Sequence, residues 1–99
     1  MSLQTGVSYV SGTFTGTGRS NHLLMQGNAS MRLDFGGGTV TLDVSDDGST
    51  WITTKMPDGS TAASFTADID IGLFFPTPKY VSLNCSSYSS DITYRLQQG

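Results

Sequence analysis

A chain of 99 residues, 36% of them hydrophobic, holds material for one domain with one small core. Only 13% of the residues are charged, and a net charge of -3 excludes a protein that wraps nucleic acid or clings to anionic membranes by charge. Every acidic residue is Asp, while Ser, Thr and Gly abound, a composition that argues against an all-α fold. No apolar run approaches the roughly 20 residues of a membrane-spanning helix. Residues 1–5 lack the basic and apolar regions of a signal peptide, and the single Cys85 forms no internal disulfide. Both features lead one to expect folding in a reducing cytoplasm, without membrane insertion or nucleic-acid partners.

In chain order, residues 7–15 and 22–26 read as strands with loose patterning. Met31, Leu33 and Phe35 alternate with Arg32 and Asp34, which predicts a strand with one buried face. Val40, Leu42 and Val44 repeat the alternation, and Gly36-Gly37-Gly38 between the two runs predicts a hairpin. Asp46-Asp47-Gly48-Ser49 predicts a second turn, followed by a strand over residues 50–55 that carries Trp51. Pro57-Asp58-Gly59 is another turn signal. Apolar residues then occupy the odd positions from 63 to 71, and Val81, Leu83 and Cys85, then Ile92, Tyr94 and Leu96, close the series.

Seven or eight short strands with turns every 8–12 residues are the pattern of an antiparallel β-sandwich of jelly-roll or immunoglobulin-like type. A closed eight-stranded barrel is the architectural alternative. The expectation is one all-β domain over residues 1–99, each sheet with one wet face. Its core is expected from Met31, Leu33, Phe35, Val40, Leu42 and Val44, joined by Phe65, Ile69, Val81, Leu83, Ile92 and Leu96.

The chemistry-bearing residues are few. His22 is the only histidine; no Gly-x-Ser-x-Gly elbow, His pair or Cys pair accompanies it, so it reads as a surface or strand-end side chain. Asp46-Asp47-Gly48 and Asp68-x-Asp70 resemble pieces of calcium loops but lack the EF-hand ligand series, and read as turn and solvent-face residues. Asn28-Ala29-Ser30 and Asn84-Cys85-Ser86 match the N-glycosylation pattern, accidentally in a chain without a signal peptide. Cys85 reads as a small buried hydrophobe. No catalytic residue, metal ligand or cofactor site is assigned, and the protein is expected not to be an enzyme.

Two segments stand out beyond the strands. Residues 45–51 resemble the Asp-box hairpin of sialidase propellers, one residue short, in which an Asp caps the turn and a Trp packs beneath it. Asp46, Asp47, Gly48 and Trp51 are therefore assigned to a turn motif. Leu73-Phe74-Phe75-Pro76-Thr77-Pro78 reads as a stiff apolar loop, either a plug beneath the core or an exposed association surface. Leu73, Phe74, Phe75 and Pro76 are the candidate interface, and a homo-oligomer is expected.

The succession of these pieces resembles a small tailed-phage protein family. The resemblance runs through residues 12–20, Gln26-Gly27-Asn28 with Met31-Arg32-Leu33, residues 38–42 and residues 45–51, and returns in residues 80–88 and 92–96. It is weakest between residues 55 and 78, and the family's turn, Ser-x-Asp-Gly-Gly-x-Thr-Trp, is one residue longer. What the resemblance implies is a β-sandwich component of a phage or prophage virion, such as a head-decoration, fibre or tail-associated subunit, with other virion proteins as partners. The alternative function is a carbohydrate-binding module docking on a host-surface glycan. That function needs clustered exposed aromatics, drawn from Tyr9, Trp51, Tyr80, Tyr88 and Tyr94; alternation buries Tyr94 and points Tyr80 outward.

Overall fold

The computed structural model of the chain describes residues 8–56 and 59–98. They form β1 (Ser8–Phe14), β2 (Gly18–Arg19), β3 (Leu23–Ser45), β4 (Ile52–Thr53), β5 (Ser64–Phe65) and β6 (Ile69–Gln98). All six belong to one antiparallel sheet of order β1-β6-β3-β4, with β2 on β6 and β5 on β3. The all-β, antiparallel class is as the alternation indicates. The strands, however, are fewer than expected and two are far longer, at 23 residues for β3 and 30 for β6.

The expected hairpin at Gly36-Gly37-Gly38 does not form: the chain continues through it in the same strand. These glycines serve close approach rather than reversal. A Cβ on Gly36 would stand 2.5 Å from the Asp91 carbonyl oxygen, and one on Gly38 would collide with the Ser87 carbonyl. Gly38 also has φ 131°, a conformation side chains rarely adopt. The glycine run lets β3 bend while residues 87–91 of β6 lie against its backbone.

The apolar segment 73–78 is likewise strand rather than loop. Phe74 and Phe75 pair with Asn28 and Gly27, and pairing resumes only at Lys79, opposite Met25. Pro76, Thr77 and Pro78 thus bulge out opposite Gln26, because proline has no N–H to give the ladder. The Gln98 side chain restores the missing bonds. Its Oε1 accepts from the Gln26 N–H at 2.7 Å, and its Nε2 donates to the Gln26 and Asn28 carbonyls at 2.6 and 2.9 Å.

Bending brings each long strand past its partner twice. Residues 29–33 of β3 pair with residues 69–73 on one side and 94–98 on the other, while Val81 lies between Leu23 and Val44. The apolar faces of these turns enclose the core. Ten of the twelve side chains expected there are buried, whereas Phe35 and Ile69 are half-buried and pack against its margin. Phe14, Met25, Ala29, Ala63, Phe75 and Cys85 complete it.

The strand expected over residues 63–71 breaks at residues 66–68, where Asp68 Oδ1 accepts a 2.6 Å bond from the Phe35 N–H. The strand expected over residues 50–55 is reduced to β4 and a single bridge from Lys55 to Ala62. Pro57 and Asp58 of the predicted turn lie outside the described residues, as does Val7.

Candidate functional site

The turn after β3 is organised by two side chains. Ser45 Oγ accepts from the N–H groups of Asp47 (3.2 Å) and Gly48 (2.9 Å) and donates to Asp47 Oδ1 at 2.8 Å. The same carboxylate oxygen accepts from the N–H groups of Ser49 and Thr50, both at 2.9 Å. Bonds from Thr50, Ser49 and Ser45, in that order, hold the Asp47 carboxyl well below the ordinary carboxylate range. Gly48 takes φ 80°, which only glycine adopts freely. Asp46 plays a different part, reaching Lys79 Nζ at 2.5 Å. Among the described residues, no three His, Cys, Asp or Glu side chains gather as a metal-binding group.

Trp51 leads from this turn into a cluster that alternation alone conceals. The Arg19 guanidinium lies 4.8 Å from the Trp51 ring centre and pairs with Asp43 at 2.9 Å. His22 packs 5.8 Å from Trp51 and meets Tyr80 edge-on at 5.4 Å. Asp43 Oδ1 also accepts from Thr53 Oγ1 at 2.9 Å. The polar face of residues 41–45, expected to be wet, is therefore covered: Asp43 and Ser45 are 5% and 4% exposed. Their burial is tolerated because each buried side-chain oxygen has a partner, the Arg19 ion pair being the strongest. Arg19 and His22 come from short, weakly patterned segments, so sequence spacing carries no sign that they meet Asp43 and Trp51.

The other aromatics do not join. Tyr94 is half-buried against Phe14 (4.8 Å), Tyr9 stands exposed under Arg95 (4.1 Å), and the Tyr88 hydroxyl donates to Asp91 at 2.6 Å. That bond and partial desolvation push the Tyr88 phenol up. Tyr80 is half-buried. Cys85 is buried, its thiol pushed up by desolvation and donating to the Ser87 carbonyl at 3.2 Å.

The candidate interface residues separate. Phe75 is buried in the core, Leu73 is half-buried, Pro76 is exposed and Phe74 is 66% exposed. They form one wall of an apolar groove of about 460 Å³. Its floor is Leu42 and Val44, and its opposite wall is Thr54 and Lys55, just beyond β4. Val44 and Lys79 connect it to a second hollow of about 320 Å³ beside Ile52, which is 65% exposed.

The chain matches no family model, no curated protein and no solved structure.

Proposed function

We propose that the chain is a non-enzymatic structural or accessory subunit of a tailed-phage or prophage virion, in the position of a head-decoration, fibre or tail-associated protein. The observation that carries this reading is the apolar groove, with exposed Phe74 on its wall and exposed Ile52 beside the adjoining hollow. Exposed large apolar side chains beside an apolar groove are what a protein–protein contact surface requires. The virion setting comes from the resemblance of the chain to small tailed-phage proteins. The subunit itself is read as a β-sandwich of jelly-roll or immunoglobulin-like kind. Supporting this, the two long strands bend so that Val81 separates Leu23 from Val44 while residues 29–33 and 94–98 pair directly. The test is composition. Particles purified from a culture that produces the protein should contain it in a fixed copy number by quantitative mass spectrometry. Its absence from infectious particles refutes the reading.

A second reading, docking to a host-surface glycan, is favoured by the meeting of Trp51, Tyr80 and His22. Sugar rings present C–H faces that pack on such aromatics, with polar groups nearby to set orientation. Trp51 is the only tryptophan, so its fluorescence reports the site directly. A saturable change with host polysaccharide, lost in Tyr80→Ala, supports docking; an unchanged spectrum removes it.

A further inference from the structure

We infer that the groove is filled by a second copy of this chain, in a closed two-fold pair where a ridge from each copy enters the groove of the other. The inference rests on the proposed association surface and names its partner. The ridge is the first stretch of β6. Ile69, Ile71, Leu73 and Phe75 turn inward, so Asp70, Gly72 and Phe74 form the outward face of the same strand. Phe74 offers an aromatic ring matched to an apolar floor of Leu42 and Val44. Asp70, about 13 Å along the strand at the usual rise per residue, offers a carboxylate. The groove answers with Lys55 on its far wall.

Charge selects this occupant. Lys79 is already held by Asp46, and none of the ion pairs among the described residues uses Lys55. Asp70 gives up little to meet it, since its contact with Arg32 is 4.0 Å long and both side chains are exposed. A carboxylate on the entering ridge and an ammonium on the groove wall are complementary charges, which favour this pairing and fix its register. The bulge explains why the pair closes. Pro76 and Pro78 lack the N–H groups that would extend the sheet from copy to copy, so contact falls to side chains. Donor ridge and acceptor groove lie side by side on one surface, which is the condition for an isologous two-fold interface.

The experiment is sedimentation equilibrium on the full chain and four exposed-site variants, each checked for native melting. The wild type should dimerise. Phe74→Ser should weaken the dimer at least tenfold. Asp70→Lys and Lys55→Asp should each weaken it, and the double variant should recover most of the loss by reversing the pair. A wild type that stays monomeric at millimolar concentration overturns the inference, even if particle analysis finds the protein in virions. A dimer indifferent to Phe74→Ser, or single losses without recovery in the double variant, overturns it too. Absence from particles alongside a dimer that follows the expected pattern refutes the virion reading and leaves the pairing standing.

Discussion

Gly38→Ala is the substitution that tests most directly why β3 runs on where a hairpin was expected. The new methyl group faces two costs. Its backbone has φ 131°, and holding a non-glycine residue in such a region costs about 1–3 kcal/mol. It would also overlap the Ser87 carbonyl, a main-chain atom fixed in the β6 ladder, and such overpacking costs a further 1–3 kcal/mol or so. The two together come to roughly 2–6 kcal/mol, a large share of the stability of a small domain. Gly72→Ala is the matched control. It lies in strand β6 with nothing within 4 Å of the added carbon and no unusual φ. There the substitution should be neutral or stabilise by about 0.4–1 kcal/mol, by restricting the unfolded chain. Urea unfolding followed by Trp51 fluorescence measures both. The midpoint should fall by about 1 M or more for Gly38→Ala, given slopes of about 1–3 kcal/mol per molar. An unchanged midpoint at Gly38, or an equal loss at Gly72, refutes the account of the bend.

Leu42 is 1% exposed and floors the groove, so Leu42→Ala should cost about 2–5 kcal/mol and lower the melting temperature by on the order of 10–30 °C; differential scanning calorimetry measures it. Asp47 provides the pH test. Because the folded state lowers its pKa, its contribution to stability is present above the ordinary value of about 3.9 and is lost as pH falls through the lower folded value. Carboxyl NMR titration should show Asp47 protonating below the ordinary aspartate range, and Ser45→Ala, which removes one of its donors, should raise its midpoint.

What alternation could reveal was which side chains turn inward. Leu33, Leu42, Leu83 and Leu96 sit where a period of two puts them, because that period depends only on the extended backbone. Where strands end was not legible in the same way. A glycine triplet and a Phe-Phe-Pro-Thr-Pro run are turn signals locally, yet both lie inside strands because distant segments impose the geometry. Residues 87–91 press on Gly36 to Gly38, and the Gln98 amide bridges the bulge opposite Pro76 and Pro78. Tertiary partners overrode local preference in both places. Turn chemistry is more local, since Asp47 accepts from the N–H groups of Ser49 and Thr50, two and three residues on. The Arg19–Trp51–His22 cluster is the opposite case, joining residues from four separate segments through contacts that no local pattern records.

The scarcity of cations gives the surface its logic. Five Lys and Arg must serve the whole chain, and four have evident posts among the described residues. Arg19 neutralises buried Asp43, Arg32 meets Asp34, Lys79 meets Asp46 and Arg95 lies over Tyr9. Arg19 is the least replaceable of them, because removing it would leave a carboxylate uncompensated inside the fold. Lys55 differs in standing at the wall of an apolar groove, outside the ion pairs among the described residues. A lysine there serves no core, since its ammonium gains nothing from Leu42 or Val44. Under the proposed pairing, it favours a ridge that brings a carboxylate along with its aromatic ring. Within this sequence, the outward face of Asp70, Gly72 and Phe74 is such a ridge. Edge strands of a low-charge sheet need protection against indiscriminate pairing. In the proposed pair, two prolines deny the backbone route at the bulge and one lysine sets the condition for the side-chain route.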